Sequence, residues 1–245
     1  MPSRRLAAFY DIHGNLPALE AALAEALALG VDEIVFGGDL AAGPWPVETI
    51  ARVRALEVPA RFVRGNADRW MVECFDTGRD GVDAWAASRM GRAERDFLAG
   101  FEPAVSLEVD GIGSVLFCHG SPRSDEEIIT ALTDDAVLIN MLADVPPSLI
   151  VCGHTHMQFD RQRGAHRIIN AGSVGMPYGE AGAFWLLLGP RVELRRTEYD
   201  VQSTAAAIAA TDYPDVREMA AGLVAPPSRD AAIEHFEKMA GRRPS

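Results

Sequence analysis

The sequence is short of cysteine, short of positive charge and without long apolar runs, and each shortage removes a class of protein. Cys74, Cys118 and Cys152 are the only cysteines in 245 residues. An odd, widely spaced set is no disulfide framework, and the expected location is a reducing cytoplasm. Lysine and arginine total 23 against 35 aspartates and glutamates, a formal net charge of −12. No dedicated nucleic-acid surface is expected, because gripping backbone phosphates takes cations. A phosphate-bearing substrate remains open, since bound metal ions would reverse the local field. No stretch approaches the roughly 20 apolar residues of a membrane-spanning helix, so no membrane partner is expected. The apolar part of "MPSRRLAAFYD" is too short for the h-region of a signal peptide. Repeats and low-complexity linkers are missing too.

Apolar residues make up 48% of the chain, enough for a well-formed core. "RLAAFY" and "DEIVFGGD" read as buried strands, and "ARFVRGN" as a third. Between them "NLPALEAALAEALALG" repeats Leu and Ala at helical spacing, with Pro17 in the first turn and Gly30 closing it. "PVETIARVRALE" is the next helix. Strands alternating with helices indicate an α/β layered fold with a parallel segment. Residues 67–100, rich in Trp, Met and Arg, read as short helices forming a cap beside the site. "AVSLEVDGIGSVLFCHG" gives two strands around a turn, "DDAVLINMLADV" an amphipathic helix and "SLIVCG" a strand. "QFDRQRGAHRIINAGS" reads as a hairpin turning at Gly164, and "AFWLLLG" with "RVELRRTEY" as another antiparallel pair. The expected organisation is a domain over 1–200 and a helical extension over 201–245 packed on it. A homo-oligomer is compatible with this sequence.

Seven polar side chains sit at apparent strand ends: Asp11, His13, Asp39, Asn66, His119, His154 and His156. Ligands of a layered α/β fold collect at the carboxyl ends of its strands. Singly, Asp11, Asp39 and Asn66 are ordinary turn or cap residues, and His119 is an ordinary core histidine. Jointly they are not, since four of the six histidines fall at strand ends, each close to a glycine. His166 and His235 lie elsewhere and read as structural or solvated. Seven such donors with one shared carboxylate can hold two cations about 3.5–4 Å apart. Asp39 suits the bridge, having two oxygens and a charge to share. Imidazoles, carboxylates and an amide favour Mn, Fe, Zn, Ni or Co over Mg and Ca, with Mn the expected ion in vitro. Cys118 and Cys152 read as buried strand residues.

"DIHGN", "GGD", "RGN", "CHG" and "GHTH", in this order, resemble the calcineurin-like metallophosphoesterase superfamily, in particular its small bacterial and archaeal phosphodiesterase-type branch. The resemblance runs from Leu6 to about Pro177 and includes "HGSPRS" and "NAGSVGMP". It implies a four-layer α-β-β-α sandwich, two facing mixed sheets flanked by helices. It also implies that Asp11, His13 and His156 bind one metal, that Asn66, His119 and His154 bind the other, and that Asp39 bridges. The implied activity is hydrolysis of phosphate esters, small molecules or nucleotides, by in-line attack of a hydroxide held between the metals. Asp39, Asn66, His119 and Asp68 form the expected catalytic set. Many members carry histidine after the Gly-Asn pair as the acid for the leaving group; here Ala67 stands there. That departure favours diesters over nucleotide or protein monoesters. A retromer-subunit-like scaffold of the same fold is the rival from another class, opposed by the full donor set. Arg64, Arg123 and Asn15 are candidate substrate contacts, although Asn15 equally suits a helix cap. Tyr178 and Trp70 are candidates for the cleft wall or for plain packing.

Overall fold

The computed structural model describes residues 4–81, 83–146 and 148–242. It opens with β1 (Leu6–Phe9), α1 (Leu16–Ala28), β2 (Glu33–Phe36), α2 (Pro46–Arg54) and β3 (Ala60–Phe62). Next come α3 (Asn66–Thr77), α4 (Ala84–Arg89) and α5 (Arg92–Ala99). A second run follows: β4 (Ala104–Val109), β5 (Gly113–Cys118), α6 (Asp135–Met141), β6 (Leu149–Cys152), β7 (Phe159–Arg163) and β8 (His166–Asn170). β9 (Ala183–Leu188) and β10 (Val192–Thr197) return to the first sheet, and α7 (Val201–Ala209), α8 (Val216–Val224) and α9 (Arg229–Met239) end the described chain. Residues 1–3 and 243–245, the outer ends of the two expected spans, lie outside the described residues.

The first sheet has the order β10-β9-β1-β2-β3 and the second β4-β5-β6-β8-β7. Both are mixed: β1, β2 and β3 run parallel, as do β5, β6 and β8, while the hairpin partners run antiparallel. Period-two alternation sorts each strand's side chains between two layers. On β1, Ala7 and Phe9 face the helices, whereas Leu6 and Ala8, with Tyr10 just beyond, face the second sheet. There they meet Val115, Phe117, Val151 and Ile169. The second sheet's other face, with Cys118, Ile150, Cys152 and Ile168, is covered by Leu138 and Met141 of α6. This is the four-layer sandwich the motifs implied, and Cys118 and Cys152 are buried, unpaired strand residues.

α1 buries Ala18, Leu19, Ala22, Leu23 and Ala26, one helical face, against the first sheet. Full burial of a leucine there stabilises by about 1.5–3 kcal/mol. α6 is shorter than the sequence pattern. It stops at Met141, and tight i→i+3 bonds carry the chain through Val145 to Pro146. α3 and α5 are built into the core beside the first sheet through Met71, Leu98 and the stacked rings of Phe62 and Phe101.

Candidate metal centre

All seven candidate donors meet at one edge, where β1, β2, β3, β5 and β6 end. The first sheet supplies Asp11 and His13 after β1, Asp39 after β2, and Asn66 at the start of α3. The second supplies His119 after β5, and His154 and His156 after β6. Backbone bonds knit these loops together: Asp11 N–H donates to Gly38, His13 N–H to Asp39, and Gly153 N–H to His119. Glycine makes the approach possible. A Cβ on Gly65 would stand 2.1 Å from Asp39 Oδ1, and one on Gly153 2.6 Å from Asp11 Oδ2.

The ring nitrogens are oriented by carbonyls outside the centre. His119 Nδ1–H donates to Gly37 at 2.9 Å and His156 Nδ1–H to Met176 at 2.8 Å. This turns both Nε2 atoms inward. His156 Nε2 lies 3.2 Å from His13 Nε2 and 3.4 Å from Asp11 Oδ1. His119 Nε2 lies 3.1 Å from Asn66 Oδ1, 3.3 Å from Asp39 Oδ2 and 3.8 Å from Asp11 Oδ1. With His119 and His156 neutral in the tautomers those carbonyls select, their Nε2 lone pairs face carboxylate and amide oxygens, an arrangement that favours positive charge between them. The donor atoms of Asp11, His13 and His156 lie within 4.8 Å of one another, and so do those of Asp39, His119 and His154.

Protons answer the same demand. Burial opposes charge on His119, yet Asp39 and Asp11 beside it raise its pKa to about 10. Burial, with repulsion from His119, lowers His154 to about 4. His13 is lowered by burial and by His156. Against the penalty of burial, Asp11 is lowered by His156 and Asp39 by His119. The carboxylates therefore stay ionised and, against the penalty of burial, favour protons on His119 and, through Asp11, on His156, one in each half of the centre, where divalent cations would otherwise sit. The residues present fit two such cations.

A sequence profile of the calcineurin-like phosphoesterase superfamily domain matches residues 5–188. The chain belongs to that superfamily. Like its relatives, this phosphoesterase is an enzyme of a metal-dependent family. A solved metallophosphoesterase from Sphaerobacter thermophilus is 26% identical with a TM-score of 0.75, over 91% of this chain and 99% of that one. A hypothetical protein from Pyrococcus horikoshii OT3 superposes with a TM-score of 0.78 at 19% identity, over 91% and 99%. Vacuolar protein sorting 29 from Cryptosporidium parvum shares the fold at a TM-score of 0.51 and 12% identity, over 82% and 100%. A search of curated proteins finds no match. Among the described residues no helix is long and apolar enough to cross a membrane.

Three other expected residues of the phosphoesterase are engaged elsewhere. Asp68 is fully buried and accepts N–H bonds from Asp39, Leu40 and Gly65 at 2.9–3.0 Å. Burial and the charge of Asp39 raise its pKa to about 7 despite those donors. With no exposed oxygen it holds the Asp39 and Asn66 loops in place and has no path to a leaving group. Asn15 is also buried; its Oδ1 caps α1 at Ala18 and its amide donates to Gly175. Its side-chain oxygen and amide are thus both engaged within the protein, as the cap reading expects. The Arg123 guanidinium is clamped on Glu127 and Asn140, so its forked donors are taken. Arg64 differs: its nearest carboxylate oxygen, on Asp125, is 3.7 Å from Nε, and that nitrogen is buried without a hydrogen-bond partner. Trp70 is half-buried under the Arg69 guanidinium.

Two features were not legible beforehand. Ser173 Oγ donates to the Asp11 carbonyl and accepts from Met176 N–H, tying the "NAGSVGMP" loop to β1. Phe236, in α9, lies against His154 with ring centroids 6.4 Å apart. Nothing in an Ala-rich tail marks one phenylalanine as a neighbour of residue 154.

Proposed function

We propose that the protein is a phosphodiesterase working at a dinuclear centre. Asp11, His13 and His156 hold one divalent cation, and Asn66, His119 and His154 hold the other. Asp39 bridges. The observation that carries this reading is the position of Asp39 Oδ2, 3.3 Å from His119 Nε2 on one side and 3.8 Å from His13 Nε2 on the other. Its partner oxygen, Oδ1, is anchored at 2.8 Å by the N–H of Ala67. A single oxygen thus faces both halves of the centre.

When bound, the cations neutralise the phosphoryl oxygens and supply a nucleophile at neutral pH. The chain's own part is orientation. Carbonyls of Gly37 and Met176 aim the rings, and the three amides on Asp68 fix the loop carrying Asp39. The Asn66 amide nitrogen and Arg64 are the donors left for the substrate's oxygens. No side chain replaces the absent histidine at Ala67, which favours diesters with good leaving groups over alkyl monoesters. Helices α3–α5 shape the wall beside Asn66, and α7–α9 form an extension packed on the same domain, touching α4 through Trp85 and Tyr213. Mn is the ion of choice for assay among Mn, Fe, Zn, Ni and Co. Free, buried cysteines suit a cytoplasmic setting.

The test is turnover of bis(p-nitrophenyl) phosphate by Mn-loaded protein, with metal counted by elemental analysis. Near two ions per chain and diester hydrolysis are expected. Stoichiometry fixed at one under saturating metal, or a preference for monoesters, overturns the proposal. The scaffold reading predicts no turnover with any of these ions.

A further inference from the structure

α8 and α9 lie beyond the residues matched by the superfamily profile, yet both return to the metal edge. α9 is pinned by Glu237, whose Oε1 accepts from the hydroxyls of Thr130 at 2.6 Å and Thr133 at 3.1 Å, and whose Oε2 accepts from Arg242. That pin sets Phe236 edge-on to Tyr178, ring centroids 5.9 Å apart. Tyr178 in turn stacks on His156 at 5.7 Å. Between α8 and the loop carrying Tyr178 lies a cleft of about 380 Å³, within the size range of small-molecule sites.

The cleft shares two residues with the metal centre. Met176 supplies the carbonyl that orients His156, and Tyr178 covers the His156 ring; both line the cleft. Most of the remaining wall is apolar, with Pro177, Pro227 and, from α8, Met219, Ala221, Gly222 and Leu223; among the described residues Glu218 is the one charged side chain lining it. Among the described residues no lysine or arginine lines it, so there a second phosphate would meet a carboxylate and no cation. An uncharged ring would meet a tyrosine face and apolar side chains, the surroundings in which aromatic groups gain most.

We propose that this cleft receives the uncharged, apolar or aromatic substituent of the phosphate ester while the phosphoryl group lies at the metal centre, making the enzyme selective for hydrophobic esters over polyanionic ones. The inference rests on the phosphodiesterase reading and names its substrate class. Gly222 allows a direct test. It lines the cleft, a Cβ placed there meets nothing within 4 Å, and replacing a helical glycine favours the helix. Gly222→Phe should therefore fill the cleft in a folded protein. Ala221→Glu, also in the lining, adds an anion instead.

The substrates are methyl, hexyl and phenyl p-nitrophenyl phosphate, which keep one leaving group and vary the other substituent. For wild type, kcat/KM is expected to rise tenfold or more from methyl to phenyl. Both variants should erase that rise, or depress all three esters tenfold if the nitrophenyl ring is the occupant, with metal content unchanged. Calorimetry gives a second readout: Mn-loaded wild type should bind phenylphosphonate more tightly than methylphosphonate, and the variants should not. Variants that match wild type in rates and binding overturn the inference. If wild type hydrolyses no ester, the phosphodiesterase reading falls instead, and the phosphonate preference still reports on the cleft.

Discussion

The two ends of the sandwich turn the chain by different means. Where β2, β5 and β8 begin, positive φ is carried by glycines: Gly30 at 71°, Gly111 at 77°, Gly113 at 93° and Gly164 at 56°. Where β1, β2 and β6 finish, Gly14 and Gly38 also have positive φ, but there the region is shared by Asp11, His13, Asp39, His154 and His156, with φ from 47° to 65°. Among the described residues these are the non-glycine positions with positive φ, and all five are candidate metal ligands. Glycine enters that region freely, while other residues strain by about 1–3 kcal/mol each. The relaxed end holds a cleft of about 690 Å³, against about 380 Å³ for the one between α8 and the Tyr178 loop; it is bordered by Gly111, Ser148, Arg167 and Pro190, with no convergence of acceptors. Volume does not mark the working end of this molecule. Strained backbone and buried acceptors without donors do, because both persist only where packing enforces them and a cation rewards them.

The sharpest way to break the comparison is to remove the shared charge at the strained end. Asp39→Asn should lower diester turnover on the order of 10³-fold or more, because it weakens both halves of the centre. Elemental analysis should show fewer than two metals, and near wild-type turnover in excess metal would sink the bridging role.

A methyl group at Gly65 should come next. Its Cβ has to displace Asp39 Oδ1, so Gly65→Ala should cost about 10–100-fold in metal affinity, the usual loss when a ligand's support is disturbed. Competition with a fluorescent chelator measures it. Unchanged affinity would show that the loop gives way.

Ala67→His probes the same loop in the opposite direction. Without a general acid, rates should fall steeply as leaving-group pKa rises, since such an acid contributes about 10²–10⁴-fold. The variant should recover part of that loss for alkyl esters. A flat dependence in wild type, with chemistry limiting, would mean that another proton donor operates, a water in the centre being the first to examine.

The smallest effect addresses the strain itself. In metal-free protein, His154→Gly should be more stable than His154→Ala by about 1 kcal/mol. At the relaxed end Gly111→Ala should destabilise by a similar amount, its Cβ also meeting the Pro190 carbonyl at 3.0 Å. Urea titration of the three variants compares the two ends directly. Equal stability of the His154 pair would mean the left-handed backbone there carries no strain.

Much of the fold was readable because local physics set it. The alternation of Leu6, Ala7, Ala8 and Phe9 encodes a strand buried on both faces, and Asn15, Pro17 and Gly30 punctuate α1 wherever the rest of the chain lies. The identities of the seven donors were readable for the same reason: chain order and glycine spacing place them at strand ends. α6 was overextended because an amphipathic period does not reveal where the helical ladder gives way to i→i+3 turns, here after Met141.

The sequence alone therefore determined which chemical groups are available and at which end of the strands they stand. Tertiary structure decided their use. Arg123 and Arg64 look alike as residues near ligands, but one is held by Glu127 and Asn140 while the other keeps its donors. Asp68 lies two residues after the candidate ligand Asn66 and is nevertheless sealed by three amides. Phe236 reaches the centre only because Glu237 bonds to Thr130, 107 residues away. Hydrogen-bond partners and burial belong to neighbours in space, and burying a group unpaired costs more than most local preferences gain. The folded chain, and not the order of its residues, settles which side chains remain free to act.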